Sequence, residues 1–230
     1  MDNQFTILDY RNLIEAFLSE GYSFELFSGR YSKEGVVYLR HDVDFSVKSA
    51  YEMALIDQSL GINSTFFFLP NSELYNIYSK RALDLVNGII EMGHDVCLHI
   101  DSDTLSNLEI VTKCFKKYYP LSNTGVISFH QPNAIPLNFH LLEGIIDVYS
   151  PRFFSEIEYA SDSGGEWKFG YPLYRPSFKR KGSFQLLIHP LWWVSSGTDS
   201  NYAIGQLVDE IHNNVMDVLS KFRFKQKHKS

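Results

Sequence analysis

Short runs of β-branched and aromatic residues alternate along this chain with longer segments whose apolar residues recur every three or four positions. The runs fall at Val36–Leu39, Ser64–Leu69, Asp95–Ile100, Val126–Phe129, Ile145–Tyr149, Glu156–Ala160 and Phe184–Ile188, which predicts seven strands. Most are continuous apolar runs, the pattern of strands covered on both faces of a parallel sheet. Between them, Ser46–Leu60 carries Val47, Ala50, Met53, Ala54 and Leu60 at helical spacing and stops at Gly61. Ser79–Met92 does the same with Ala82, Leu83, Val86, Ile89 and Ile90, and stops at Gly93. Asp103 or Thr104 is placed to cap a third helix running to about Tyr118, and Ile204–Leu219 predicts a last amphipathic helix. Tyr10–Ser19 predicts an N-terminal helix outside the repeat, closed by Gly21. Alternation of this kind predicts an α/β fold with a parallel sheet, and seven units suit a barrel as readily as an open sheet.

Composition narrows the class. The 230 residues are 44% hydrophobic and 21% charged, which excludes disorder for the bulk of the chain. No linker rich in Pro, Gly or Ser divides it, so a single domain is expected over residues 1–220, followed by a basic tail over 221–230. No apolar run is long enough for a membrane span. The opening segment has acids where a secretory leader would be basic and lacks an apolar stretch, so a cytoplasmic location is the expectation.

The formal charge of −6 hides an asymmetry. The last ten residues, KFRFKQKHKS, hold five of the 21 Lys and Arg and no acid. The remaining 16 bases face 27 acids, so residues 1–220 carry −11. A body that acidic repels duplex phosphate, and no nucleic-acid partner is expected; the tail reads as a solvated terminus. Cys97 and Cys114 form no framework and read as reduced, buried packing residues.

Candidate chemistry gathers where the strands end. The first strand runs into Arg40-His41-Asp42-Val43-Asp44, the third into His99-Ile100-Asp101-Ser102-Asp103, and the fourth into His130-Gln131-Pro132. The sixth leads to Ser161-Asp162-Ser163, and the seventh to His189-Pro190-Leu191-Trp192-Trp193. In parallel α/β proteins all carboxyl ends converge on one edge, where ligands bind. A single histidine there is more often a hydrogen-bonded structural residue. Five carboxylate or imidazole positions together offer the donors a divalent ion such as Zn²⁺ accepts, and the acid and base that metal-assisted hydrolysis uses.

These motifs resemble the polysaccharide deacetylases (carbohydrate esterase family 4, the NodB homology domain). Arg40-His41-Asp42-Val43-Asp44, followed by Ser64-Thr65-Phe66-Phe67-Phe68, is similar to that family's T-F-D-D-G strand end and following strand. Glu91–His99 resembles the G-H-E-I-G-x-H segment that opens the family's H-[ST]-x-x-H metal motif, and His189 resembles the histidine of its late L-x-H motif. The similarity spans residues 36–193 and is greatest to a divergent R-H-D-x-D branch with S-F-H-x-P, S-D-S and I-H-P-x-W-W signatures, met in surface-polysaccharide gene clusters.

The resemblance implies a deformed (β/α)7 barrel, a divalent metal cofactor (Zn), and removal of an N-acetyl group from a sugar or polysaccharide intermediate. It implies Asp42 as catalytic base, Asp44 and His99 as metal ligands, His189 as general acid and Asp162 as support for that constellation. Asp103 stands where the family has its second metal histidine; it could complete the ligand set or only cap a helix, and whether Asp103 or His130 completes that set stays open. His130 stands near the place of the arginine that orients the base, and with Arg40, Trp192 and Trp193 is assigned to substrate binding. Trp192 and Trp193 are read as aromatic faces for sugar rings, or else as packing; Trp167, Tyr171 and Tyr174 have a weaker claim. His94 reads as structural, His140, His212 and His228 have no partner in sequence, and Asp101 could point either way. Two further readings stay open: a hydrolase of the same fold acting on another C–N bond, and a non-catalytic carbohydrate-binding relative.

Overall fold

The computed structural model describes residues 5–131, 144–195 and 199–222. Its elements follow in the order α1 Ile7–Ser19, β1 Ser23–Phe24, β2 Val36–Val43, α2 Val47–Ser59, β3 Thr65–Phe68, α3 Lys80–Glu91, β4 Asp95–Ile100, α4 Ser102–Ser106 and α5 Leu108–Tyr118. Then come β5 Val126–Phe129, β6 Ile146–Asp147, α6 Pro151–Phe154, β7 Glu158–Ser161, a 3₁₀ turn at Pro172–Tyr174, α7 Pro176–Lys179, β8 Phe184–Ile188, α8 Pro190–Val194 and α9 Ser200–Ser220. Strands pair in the order β6-β5-β4-β3-β2-β8-β7, every pairing parallel, and β1 pairs with the start of β2. The sheet curls as a half-barrel, and among the described residues β6 and β7 do not pair with each other.

Local signals account for most boundaries. Thr6, Ser46 and Ser79 each cap a helix by accepting a backbone N–H three residues on, at Asp9, Ser49 and Ala82. Gly61 and Gly93 stop α2 and α3 in left-handed conformation, with φ of 71° and 90°. Several predicted boundaries move. β2 continues through Arg40 and Asp42 to Val43, because its charged side chains satisfy each other inside the fold. β6 shortens to two residues, and the helix predicted from Asp103 is two helices, α4 and α5, the first capped by Asp101. Ser23–Phe24 is too short to leave a periodic signal.

The curled sheet has apolar residues on both faces. Its helix-covered face buries Val37, Leu39, Phe66, Phe68, Val96, Leu98 and Ile127 against α1, α2 and α3. A smaller cluster fills the concave face: Phe27, Tyr38, Phe67, Cys97, Val126, Val148 and Phe153. Gln185 of β8 spans the unpaired gap, its amide donating to the carbonyls of Val148 (3.0 Å) and Phe153 (2.9 Å). Cys97 belongs to this buried cluster; Cys114, expected to be buried, is exposed on α5, and both thiols are free.

Candidate active site

The side-chain period of two along β2 puts Arg40, Asp42 and Asp44 on the concave face, and His41 on the helix side. Asp44 follows the last strand residue, so Val43 between the two carboxylates is what allows both to face inward. β4 and β5 are neighbours in the register His99↔Ser128, and the ladder continues with the His130 N–H donating to the Ile100 carbonyl (2.8 Å). That register carries His130, two residues beyond Ser128, to the rim beside His99. Gln131 then takes φ of 49°, a left-handed turn uncommon for a residue with a side chain.

Asp44, His99 and His130 converge, each offering one donor atom with all three within 4.8 Å of one another. His99 Nε2 lies 3.2 Å from Asp44 Oδ1 and 3.2 Å from His130 Nδ1, and His130 Nδ1 lies 3.5 Å from Asp44 Oδ1. The other nitrogen of His99, Nδ1, is 2.6 Å from Ser128 Oγ. An Nδ1–H donated to that hydroxyl leaves the Nε2 lone pair aimed at the cluster, the arrangement that orients metal-binding histidines. Asp44 Oδ1 is buried and makes no well-aligned hydrogen bond. One carboxylate and two imidazoles with an orphaned oxygen at their centre fit a divalent cation of the Zn²⁺ type. Burial alone would raise the Asp44 carboxyl; His130 and His99 outweigh it and hold it well below the usual carboxylate range. Its contact raises His130 in turn.

Two ion pairs flank this cluster. Arg40 grips Asp42 bidentately, Nε to Oδ1 and Nη2 to Oδ2, both at 2.7 Å and both buried. The guanidinium also donates to Tyr149 Oη (3.1 Å) and Gln185 Oε1 (3.3 Å), and packs over the Tyr149 ring at 4.6 Å. Burial works against ionisation of Asp42, but Arg40, then His99, hold its carboxyl below the usual range. On the other side Asp162, fully buried, accepts from His189 Nδ1 (2.6 Å), the His189 backbone N–H (3.0 Å) and Trp193 Nε1 (2.7 Å). Burial would lower His189; the Asp162 charge overrides it and lifts the imidazole to about 9. The opposite nitrogen, Nε2, faces the cluster, 3.7 Å from Asp44 Oδ2.

Several assignments made from sequence change place. Asp103 is exposed on α4, at the rim of the cleft and outside the cluster, because Asp101 caps that helix (Oδ1 to the Thr104 N–H, 2.7 Å) and turns the chain away. His130, grouped with the substrate-binding residues and also left open as the alternative to Asp103, stands with Asp44 and His99. Arg40 is buried and cannot touch a substrate; it positions Asp42. Trp192 and Trp193 are buried too, one against the Phe45 ring (5.1 Å) and the other on Asp162, so neither is a sugar platform. Trp167 packs against Phe5 and Trp193. His94 lies at the opposite end of β4, in hydrogen bonds with Ser64 and the Ala54 carbonyl. His140, His228 and Pro132 lie outside the described residues, as does the tail from 223 on.

The cleft over the cluster, about 890 Å³, is lined by aromatic residues that sequence reading passed over: Phe129, Tyr149, Phe154, Tyr159 and Phe169. Of these, Phe154 and Phe169 are exposed and join through Tyr159, with ring centres 4.8 and 5.7 Å apart. The usable signal was period two: Tyr149 and Tyr159 fall near the ends of β6 and β7. Ser128 and Gln185 were missed because neither residue type announces chemistry. A smaller apolar groove, about 190 Å³, lies apart between α2, α3 and α9.

Comparison with known proteins gives the following. No family model matches the chain, and no curated protein matches it. Among solved structures, a family 4 carbohydrate esterase from Bacillus anthracis aligns at 12% identity over 90% of this chain and 91% of the other, with a TM-score of 0.37. A Bdellovibrio bacteriovorus peptidoglycan deacetylase aligns at 13% identity and a TM-score of 0.40, over 86% of this chain and 54% of the other, so this chain spans about half its length. A peptidoglycan N-acetylglucosamine deacetylase aligns at 17% identity over 86% and 90%, with a TM-score of 0.39. The first bears the name of the family that the motifs resemble. Likenesses at these scores carry no weight for the chemistry, which rests on the distances above.

Proposed function

We propose that this protein is a metal-dependent amide hydrolase that removes an N-acetyl group from a sugar, with Asp44, His99 and His130 as the residues that hold the cation. The observation that carries the reading is the convergence of those three donors between two buried ion pairs, Arg40–Asp42, which presents a carboxylate, and Asp162–His189, which presents an imidazole. A divalent ion, Zn²⁺ by donor set, would supply Lewis acidity toward the acetyl oxygen and lower the pKa of water at the site. The remaining work falls to side chains. Asp42 stays ionised because Arg40 neutralises the cost of its burial, and each of its oxygens keeps a lone pair to take a proton from the attacking water. His189 carries its proton at neutral pH, and Nε2 faces the cleft, placed to deliver that proton to the departing amine nitrogen. Asp162, itself held by Trp193, keeps the ring in the orientation this requires. Exposed Phe154 and Phe169 offer faces against which a sugar ring can stack. An acetylated intermediate of surface-polysaccharide assembly is the substrate the motif resemblance favours.

The test combines elemental analysis with acetate release from N-acetylated amino sugars and their oligomers. Wild-type protein should retain a divalent metal and release acetate. Asp44→Ala and His99→Ala should lose the metal; Asp42→Asn should keep it and lose turnover by a factor on the order of 10² or more. Metal-free wild type that stays inactive when metal is added back overturns the proposal. Undiminished metal binding by Asp44→Ala overturns the ligand assignment.

A further inference from the structure

Among the described residues that line the cleft, Lys168 is the one Lys or Arg, against the carboxylates of Asp42, Asp44, Glu73, Asp101 and Asp103. Glu73, Asp101 and Asp103 follow β3 and β4; Lys168 follows β7, with β8 and β2 between. Among the described residues Lys168 makes no hydrogen bond or ion pair, with these acids or any other group. Its place is nevertheless fixed by its neighbours in the loop. Trp167, before it, packs against Phe5 (6.4 Å between ring centres) and Trp193 (6.1 Å). The carbonyl of Phe169, after it, accepts from Arg175 Nη1 (2.6 Å), and Arg175 is tied to Glu158. Gly164 and Gly165 both take φ of 76°, and a Cβ on Gly165 would stand 2.5 Å from Ser200 Cβ, so the turn lies tight against the start of α9. The lysine stem folds back over Gly164, where a Cβ would stand 3.8 Å from Cε and 4.0 Å from Nζ. Ser163 adds a hydroxyl to the same wall, 2.7 Å from Ser161 Oγ. The loop thus presents an ammonium, a hydroxyl and the exposed Phe169 ring to the cleft.

We infer that Lys168 selects a sugar that carries an anionic group, a carboxylate or a phosphate, in addition to its acetamido group. The inference rests on the reading above, that the cleft takes an N-acetylated sugar, and adds the charge of that sugar. An ammonium offers three donors and a compact positive charge, which a carboxylate or phosphate oxygen satisfies and a neutral hydroxyl satisfies less well. In a cleft otherwise lined by acids, such a group also sets direction. Glu73, Asp101 and Asp103 repel an anion from the β3–β4 side, and Lys168 attracts it to the β7 side. The sugar is then held one way round, its ring against Phe169, its anionic group on Lys168 and its acetamido group toward Asp44, His99 and His130.

The experiment measures, by calorimetry, binding of N-acetylglucosamine, its 6-phosphate and N-acetylmuramic acid to the metal-loaded Asp42→Asn protein. Acetate release from the same three sugars is followed in parallel with Asp42 intact. The phosphate and the lactyl carboxylate distinguish the two anions. At least one charged sugar should bind on the order of tenfold more tightly than the neutral one. Adding Lys168→Gln should abolish that preference, and Lys168→Arg should retain it. Lys168 is exposed, and far-ultraviolet circular dichroism checks that the fold is kept. Charged sugars held no better than the neutral one, or no binding of any of the three, overturns the inference. So does a preference that survives Lys168→Gln, the result expected if the metal ion holds the anion. Binding that depends on Lys168 without acetate release upholds the inference and overturns the deacetylase reading. Acetate release indifferent to the charge of the sugar and to Lys168→Gln does the reverse.

Discussion

At the scale of single residues, two buried carboxylates behave differently because of what each accepts. Asp42 receives a guanidinium that cannot lose its proton, and so remains an anion available as a base. Asp162 receives an imidazole, a ring N–H of Trp193 and a backbone N–H, and so serves to keep a second group protonated. Replacing Asp162 by Asn keeps the shape but removes the charge opposite His189 and puts an amide donor against other donors. We expect Asp162→Asn to lower turnover by a factor on the order of 10² or more while metal content stays at the wild-type level. Unchanged turnover, measured as acetate release, would remove His189 from the role of acid. Of these partnerships, Arg40 with Asp42 became visible only once β2 was seen to continue past Leu39, which sets the two on one face. The grip of Trp193 on Asp162 was hidden as well, because 31 residues separate them and only the packing of α8 against the end of β7 brings them together.

At the scale of elements, capping and strand ends decide where side chains go. The concave sheet edge near β7 is closed by Glu158, which accepts from Ser177 Oγ (2.6 Å) and Arg175 Nε (2.9 Å) and so ties α7 to the strand. Burial by itself would raise the Glu158 carboxyl; the Ser177 hydroxyl and Arg175 guanidinium outweigh it, and the group titrates below its ordinary 4.5. A depressed folded value means that the bond stabilises the fold above the ordinary value and is lost as pH falls through the folded one. Glu158→Gln should therefore cost about 1 kcal/mol at pH 7 by denaturant titration, and the gap to wild type should narrow as pH falls below about 4. The helical and strand segments themselves were legible to within a few residues, since capping hydroxyls, stop glycines and apolar periodicity are local. β2 ran four residues past its reading, which stopped at Leu39, because a charged residue marks a strand end unless a partner two residues on neutralises it.

At the scale of the molecule, one buried network joins the pieces that the site depends on. Asp57 on α2 accepts from Tyr10 of α1 (2.5 Å) and from Ser64 at the start of β3 (2.6 Å), and lies 2.9 Å from His41 Nε2 on β2. Ser64 continues it to His94 ahead of β4. Thus His41, inside the motif yet facing away from the cleft, holds the strand that carries Asp42 against the helix layer. Asp57→Ala would leave three buried polar groups without their acceptor, and a loss on the order of 3 kcal/mol or more is expected in chemical denaturation.

What the sequence by itself determined is the set of parts: parallel strands, intervening helices, and carboxylates and imidazoles at the strand ends. Each of these follows from periodicity and residue type within a window of a few positions. Only the tertiary structure decided which of those side chains meet. His130, not Asp103, stands with Asp44 and His99, because strand order makes β4 and β5 neighbours and their register sets His130 at the rim. Asp103 is led off on a helix that Asp101 caps, and the tryptophans are folded beneath the site instead of lining it. Distances between residues on different strands depend on order, register and curl, which belong to the whole sheet and to no segment of it.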